Sequence, residues 1–234
     1  MNNLYKIERL TKNYKIKNNE HVVLSNLNLI IPNDEITVIL GKSGCGKTTL
    51  LRMIAGLENQ NSGEIKFIDK NNKIISPKIG FVFQESRLLP WLTIKQNAEI
   101  HNQGKADEIL KMLGLQEYIY MYPEQLSGGM AQRVAIARAL SYNPDTLLMD
   151  EPFSALDYFT RKQLLDDILN IYLTSKKGII FVTHNIEEGL TLGKNIFVIK
   201  DKNIKSYRVN MSYPRNLDNE DIIKLKNQIL KDII

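Results

Sequence analysis

One stretch of the chain combines glycines, a lysine and a threonine at a spacing suited to binding phosphate. It follows the apolar residues 36–40 and precedes the helical pattern of residues 49–55. Glycines let the backbone wrap until successive N–H groups point at one anion, and the following helix adds the positive end of its dipole. We call this stretch the phosphate loop, and it consists of Gly41, Lys42, Ser43, Gly44, Cys45, Gly46, Lys47 and Thr48.

The end of the phosphate loop predicts contacts with a triphosphate and its metal. Lys47 is placed to reach the β- and γ-phosphates, and the Thr48 hydroxyl to reach Mg²⁺. A glycine-rich turn after a strand is the alternative. The apolar strand before the loop and the helix directly after it favour the phosphate site.

A second glycine-rich helix start follows later in the chain. Ser127, Gly128 and Gly129, here called the Ser-Gly-Gly motif, precede the helical pattern of residues 131–140. A capping serine, bare backbone N–H groups and the helix dipole form an anion-binding end. Taken alone, the motif is better explained as an ordinary N-cap, and the presence of two such helix starts in one chain favours anion binding.

Two acidic residues follow the short apolar strand predicted at residues 146–149. Asp150 at the end of a buried parallel strand suits an aspartate associated with Mg²⁺, and Glu151 could polarise a water. The strand is apolar on both faces, which predicts a central position in the sheet. Solvent exposure of both acids is therefore the less favoured interpretation.

Two polar residues also follow predicted strands. Gln84 comes after residues 79–83, where its amide could bind a metal or a water, although a surface glutamine fits equally well. His184 comes after residues 179–183, where it could donate to a phosphate or cap the next helix. The single Cys45 and three histidines make a structural zinc site improbable.

The N-terminal part predicts an antiparallel pair of strands at residues 4–10 and 22–31. A polar turn predicted at residues 17–20 separates them. Tyr14 lies before it in residues 11–16, where its ring could stack on a base or simply pack half-buried. We expect His21 to be a surface residue.

Composition predicts one α/β domain. The chain has 234 residues, 43% of them apolar and 24% charged, with no apolar run near the roughly 20 residues needed to cross a bilayer. The N-terminus lacks a secretory signal pattern and the one cysteine cannot form an internal disulfide, so we expect a reducing cytoplasm. A net charge of +5 from 31 basic and 26 acidic residues identifies no partner.

Residues 85–124 predict a small helical insert, with a possible helix from Thr93, a break at residues 102–104 and a helix over 106–113. The C-terminal residues 218–234 predict an amphipathic helix whose apolar stripe packs on the domain.

In their order along the chain, these motifs resemble the full motif set of an ABC transporter ATPase. The set comprises the phosphate loop, Gln84, residues 126–130, residues 147–151, residues 154–157 and His184. Within that superfamily, residues 84–91, Met130 in the Ser-Gly-Gly region and residues 157–161 are similar to the nitrate/sulfonate/taurine importer group.

The resemblance implies an α/β fold, with a P-loop NTPase core, an antiparallel β subdomain and a small helical subdomain at about residues 85–140. The ABC ATPase domain would span residues 1–216, followed by the C-terminal amphipathic helix at 217–234. It also implies a head-to-tail homodimer that holds two ATP molecules, each between the phosphate loop of one chain and the Ser-Gly-Gly motif of the other.

The same resemblance assigns roles to single residues. Tyr14 would stack on adenine, Glu151 would be the general base, His184 would sense the γ-phosphate, and Gln84 would contact Mg²⁺ and the attacking water. Lys47 completes the catalytic set and Thr49 extends the nucleotide contacts. Mg²⁺ would be held by Thr48, Gln84 and Asp150.

The resemblance also implies that residues 85–91 bind a helix of a separate membrane-spanning permease subunit. An extracellular or periplasmic solute-binding protein would be an indirect partner, with no nucleic acid involved, and the chain would lie peripherally on the cytoplasmic face of the membrane. The insert is shorter than usual for the importer group, and the C-terminal extension is too short for a regulatory domain of ordinary size.

Two other classes of protein fit the residues less well. A soluble ABC-type module acting on ribosomes or DNA would carry two cassettes or a long coiled-coil insertion. A P-loop small-molecule kinase would leave the Ser-Gly-Gly motif without a role.

Overall fold

The computed structural model describes residues 2–17, 19–101 and 104–233. The strands are β1 (Leu4–Ile16), β2 (Asn19–Pro32), β3 (Ile36–Gly41), β4 (Ser62–Ile68), β5 (Ile74–Ile75), β6 (Ile79–Val82), β7 (Thr146–Asp150), β8 (Gly178–Thr183), β9 (Asn195–Lys200) and β10 (Asn203–Arg208). The α-helices are α1 (Lys47–Ile54), α2 (Ile94–Glu99), α3 (Ala106–Met112), α4 (Gly128–Ser141), α5 (Tyr158–Ser175), α6 (Ile186–Leu192) and α7 (Glu220–Ile233).

A six-stranded sheet in the order β10-β9-β3-β8-β7-β6 forms the centre of the fold. Its strands from β9 to β6 are parallel, and β10 adds an antiparallel edge. Every residue of β3, β7 and β8 is buried, because helices or the second sheet cover both faces. The predicted central position of the strand before Asp150 agrees with this arrangement.

The two faces of this sheet belong to two hydrophobic clusters. Val38, Leu40 and Phe181 point into the cluster with α4, α5 and α6. Ile39 and Val182 point into the other cluster, which contains α1 and the second sheet. Alternation along each strand therefore fills both cores, and α1 is packed between the two sheets.

The second sheet is antiparallel, in the order β2-β1-β4-β5. The first strand extends beyond the predicted residues 4–10, because β1 continues to Ile16 and pairs there with β2, which begins at Asn19 within the predicted polar turn of residues 17–20. Tyr14 consequently lies on the strand, opposite His21. Register shifts between Ile7 and Asn13 let the long hairpin bend, and polar residues continue in it beyond the core.

The helical insert packs on the helix that carries the Ser-Gly-Gly motif. Helices α2 and α3 contact α4, and their buried residues share one cluster with the parallel sheet. Asn97 is buried and binds the backbone of Leu89, Leu92 and Thr93. It thereby fixes the end of the segment that follows Gln84. Of the predicted break, Asn102 and Gln103 lie outside the described residues.

The C-terminal helix α7 packs on α6 and β9 and buries Ile222 and Ile229, while Ile234 lies outside the described residues. The proposed division at residue 216 stays a prediction. Within the described ranges, no helix combines the length and the apolar character needed to cross a bilayer.

We expect Gly63→Ala to destabilise the junction between β1 and β4. Gly63 has φ of +84°, and an added Cβ would lie 2.4 Å from the Arg9 carbonyl oxygen. Gly56→Ala is the matched control, with φ of +69° and open space around the new methyl group. Both variants carry the left-handed strain, and the clash should cost Gly63→Ala about 2 kcal/mol more. Urea unfolding measures the difference, and equal losses would contradict this account of the junction.

Candidate active site

The phosphate loop is formed where β3 ends at Gly41 and α1 begins at Lys47. Gly46 has φ of +102°, and a Cβ there would lie 2.7 Å from Val23 Cγ1, so only glycine lets the loop close against β2. Among the described residues, no side chain caps the start of α1 and no acid lies in its first turn. The positive end of α1 is thus available to an external anion.

Lys47 places its ammonium group inside the loop. Only 4% of the side chain is exposed, and Nζ donates to the carbonyl oxygens of Gly41 at 2.9 Å and Lys42 at 3.0 Å. Glu151 Oε1 lies 3.7 Å away. These partners compensate the burial of the charge and hold the ammonium group at the position where phosphate would bind.

Thr48 and Asp150 place two side-chain oxygen atoms next to each other at the start of α1. The Thr48 hydroxyl donates to Asp150 Oδ1 at 2.7 Å, and Asp150 is only 3% exposed at the end of β7. Burial raises the pKa of Asp150 above its ordinary value, although the Thr48 hydroxyl and Arg52 act in the opposite direction. A bound cation would offset this cost of burying the carboxylate.

Glu151 and His184 meet at the ends of the neighbouring strands β7 and β8. Glu151 Oε2 lies 3.1 Å from His184 Nδ1, and the Glu151 backbone N–H donates to Val182 O at 3.1 Å. Glu151 has φ of +43°, a costly conformation for a residue other than glycine. The fold therefore holds this carboxylate in place at the expense of backbone strain.

Gln84 reaches the same edge of the sheet from beyond β6. Its Nε2 donates to Ser154 Oγ at 3.3 Å, which leaves the amide oxygen available. The side chain is exposed at the rim of the site. The sequence pattern did not single out Ser154 as its partner, because the contact depends on β6 and β7 being neighbours.

Lys47, Thr48, Gln84 and Glu151 line one cleft of about 400 Å³, here called the nucleotide cleft. Its lining comprises Tyr14, His21, Val23, Ser43, Gly44, Gly46, Lys47, Thr48, Thr49, Gln84 and Glu151. Asp150 and His184 are not among its described lining residues, and they contact it through Thr48 and Glu151. Lys42 and Cys45 line a second cleft, which Ser43 and Gly44 also border. Burial raises the pKa of the Cys45 thiol, so the thiolate, which is the reactive form, is scarce.

The antiparallel sheet contributes the aromatic wall of the nucleotide cleft. Tyr14 is half-buried there, and its hydroxyl donates to Glu58 Oε1 at 2.5 Å and lies 3.3 Å from Thr49 Oγ1. His21 is exposed, as predicted for a surface residue, but it also lines the cleft. The pairing of Tyr14 with His21 across the hairpin is the observation that would have identified His21 as a residue of the cleft.

The Ser-Gly-Gly motif is not part of this cleft. Ser127 caps α4 by accepting from Met130 N at 3.2 Å, and Ser127 and Gly128 are exposed. None of the three motif residues is among the described residues that line the nucleotide cleft. The structure thus brings together the predicted site residues from both sheets and leaves this second glycine-rich helix start on a separate surface.

Comparison with known proteins identifies a family and similar relatives. A protein-family model described as ABC transporter matches residues 24–154. The aliphatic sulfonates import ATP-binding protein SsuB of Bacillus subtilis is 41% identical over 225 residues, which cover 91% of this chain and 88% of that protein. SsuB 2 of Pseudomonas syringae pv. tomato, which carries the same description, is 38% identical, with coverages of 91% and 92%.

Among solved structures, a similar fold occurs in a dimeric post-hydrolysis state of the ATP-binding cassette MJ0796 bound to ADP and Pi. The TM-score is 0.77 at 32% identity, and the match covers 89% of this chain and all of that one.

We expect Gly129→Ala to lower stability through a local clash. A Cβ on Gly129 would lie 2.3 Å from Thr160 Cγ2, and overpacking of this kind costs about 1–3 kcal/mol. Thr160→Ser removes that methyl group, so the double variant should regain most of the lost unfolding free energy. Urea unfolding of the two single variants and the double variant tests this, and the absence of recovery would show that another contact requires the glycine.

Proposed function

The chain belongs to the ABC transporter family, and on that premise we propose that it hydrolyses ATP to drive uptake of a small anionic solute, an aliphatic sulfonate, through separate membrane-spanning subunits. It is an ATPase of an importer. The observation that carries the proposal is the position of the strained Glu151 carboxylate, between the Lys47 ammonium group and His184 in the nucleotide cleft.

ATP binding begins with the phosphate loop. The N–H groups at the start of α1 receive the β-phosphate, and Lys47 exchanges the carbonyl oxygens of Gly41 and Lys42 for phosphate oxygens. Tyr14, whose hydroxyl lies next to Thr49 Oγ1, provides the ring on which adenine stacks. The antiparallel sheet therefore contacts the base, the parallel sheet supplies the phosphate contacts, and α1 lies between the two sheets.

The donor set fits Mg²⁺. Thr48 and Asp150 offer a hydroxyl and a buried carboxylate, and Gln84 offers an amide oxygen at the rim. Mg²⁺ commonly takes one or two protein carboxylates together with substrate phosphates, and no group of three or more His, Cys, Asp or Glu side chains in the described part of the chain is arranged to hold a metal ion. When bound, Mg²⁺ would neutralise charge that develops on the phosphates.

Hydrolysis needs a water in line with the γ-phosphate. Glu151 accepts a proton from that water as general base, while Gln84 holds the water by its amide group. His184, 3.1 Å from Glu151, donates to the γ-phosphate and fixes the carboxylate. Lys47 stabilises the negative charge that spreads over the phosphate oxygens.

A second copy of the chain completes the site. The nucleotide cleft contains one helix start that binds anions, whereas the Ser-Gly-Gly motif presents another on a different surface. Head-to-tail pairing of two copies places each motif over the nucleotide of the other, and the dimeric state of the similar cassette supports this arrangement. ATP then favours the closed dimer and hydrolysis the open one.

The partners in the membrane follow from the same proposal. Trp91 is 68% exposed at the end of the segment after Gln84, and we assign residues 85–91 to the contact with a permease subunit. The chain would lie on the cytoplasmic face of the membrane, with a solute-binding protein on the other side. Aliphatic sulfonate is the proposed solute because the similar SsuB proteins are described as importing it.

We expect Glu151→Gln to bind ATP but to hydrolyse it at least about 10²-fold more slowly, because the amide cannot accept the proton. The variant should accumulate as an ATP-bound dimer in size-exclusion chromatography. Glu108→Gln, an exposed change on α3, is the control and should hydrolyse ATP at the normal rate. Near-normal turnover in Glu151→Gln would remove this residue from the mechanism.

The proposed cargo is tested in cells that lack the gene for this chain. We expect them to lose growth on an alkanesulfonate as the sole sulfur source but to grow on sulfate. The wild-type gene should restore growth and the Glu151→Gln gene should not. Undiminished growth of the deletion strain on several alkanesulfonates, with loss of uptake of another solute, would exclude sulfonate as the cargo and leave the ATPase assignment intact.

A further inference from the structure

Tyr14 is held by a group of charged residues that lies outside the nucleotide cleft. Its hydroxyl donates to Glu58 Oε1 at 2.5 Å, and Lys12 Nζ lies 2.9 Å from the same carboxylate oxygen. The side chains of Lys12 and Glu58 are only 12% and 20% exposed. A nearly covered ion pair that ends on a tyrosine hydroxyl constrains that ring more than an exposed pair could.

Lys12 also occupies one face of the Tyr14 ring. Its Nζ is 5.0 Å from the ring centroid. Tyr14 lines the nucleotide cleft, whereas Lys12 and Glu58 are not among its described lining residues. The cation therefore contacts the ring from outside the cleft, while the ring itself borders the cleft where a base would bind.

The charged group is anchored to the backbone after α1. Lys12 Nζ donates to Asn59 O at 2.6 Å, and Asn61 N donates to Thr11 O at 3.0 Å. The Tyr14 hydroxyl also lies 3.3 Å from Thr49 Oγ1 in the first turn of α1. The ring is thus tied to both ends of the helix that begins at the phosphate loop.

We propose that Glu58, with Lys12, is a positioning residue for nucleobase binding: it orients the Tyr14 ring at a set distance from the phosphate loop and so determines how much the base adds to phosphate affinity. This inference rests on the proposed function and specifies how the same site reads its nucleotide. The Tyr14 hydroxyl and Lys12 keep the pKa of Glu58 below its ordinary value, outweighing burial. Glu58 is therefore ionised at neutral pH and accepts a charge-assisted hydrogen bond.

The test compares ADP with inorganic pyrophosphate, because both use the phosphate loop and only ADP carries a base. Dissociation constants are measured by calorimetry with Mg²⁺ on the full chain. Glu58→Gln should weaken ADP binding about 3- to 10-fold and leave pyrophosphate binding within about 2-fold of normal. Tyr14→Ala removes the whole ring and should give the largest weakening of ADP binding, about 10-fold or more, since a stacked base contributes about 1–3 kcal/mol.

Two further variants separate orientation of the ring from a general loss of structure. Tyr14→Phe keeps the ring but removes the hydroxyl, and it should reproduce Glu58→Gln. The double variant should be no weaker than Tyr14→Phe alone, because both changes act on the same charge-assisted hydrogen bond, which Glu58→Gln reduces to a neutral one. Glu64→Gln is the matched control, since it removes an ion pair with Lys66 on the same sheet away from Tyr14, and it should change neither constant.

Different outcomes overturn different claims. Equal weakening of ADP and pyrophosphate by Glu58→Gln, an unchanged ADP constant, or additive losses in the double variant would each overturn the role of Glu58. If Glu58→Gln fails to fold, Tyr14→Phe alone decides, and an unchanged ratio of the two constants there overturns the inference. A wild-type chain that binds neither ADP nor ATP would overturn the proposed function itself.

Discussion

The nucleotide cleft depends on one buried ammonium group and on the groups that compensate its charge. Lys47 is nearly inaccessible to solvent, so its charge needs the carbonyl oxygens of Gly41 and Lys42 and the nearby Glu151 as partners. These partners stay in place because the phosphate loop joins a strand that is buried along its whole length to a helix packed between two sheets. A looser support would leave this buried charge without fixed partners.

The order of the parallel strands then determines which chemistry surrounds the phosphate loop. Because β3, β8, β7 and β6 are successive neighbours, the residues that follow their carboxyl ends meet at one edge of the sheet. His184, Glu151 and Gln84 arrive there from three separate parts of the chain. The antiparallel sheet adds Tyr14 from the opposite side of α1, so one helix receives the phosphate contacts and supports the base contact.

The Ser-Gly-Gly motif and the segment that we assign to the membrane partner are joined by α4. Arg138 on this helix donates to the carbonyl oxygens of Ser86 and Arg87 at 2.9 and 2.8 Å. Burial lowers the pKa of this guanidinium, which binds backbone carbonyl groups. The helix that starts at the motif is therefore bound directly to the backbone just beyond Gln84, which gives a short physical connection between the two functional surfaces.

Local patterns carried the part of this protein that can be recognised without a structure. The phosphate loop, the acids after an apolar strand and most helices follow from spacing and from residue preferences that act over a few positions, which is why α3, α4 and the Asp150-Glu151 pair were predicted close to their observed places. The short edge strands β5 and β10 were not predicted, because they are exposed or polar and form only by pairing with β4 and β9.

By itself, the sequence determined the motifs for ATP binding and hydrolysis. These are a phosphate-binding loop, a carboxylate pair and a second glycine-rich helix start, and each is formed by residues that are neighbours in the chain. Only the tertiary structure decided what each group contacts. Because the pairing of β1 with β2 contains register shifts, simple alternation does not predict the face on which Tyr14 lies. The contacts of Tyr14 with Glu58 and of Gln84 with Ser154 join residues 44 and 70 positions apart. Such pairs depend on strand order and register, which are set by long-range packing and leave no periodic trace in the chain.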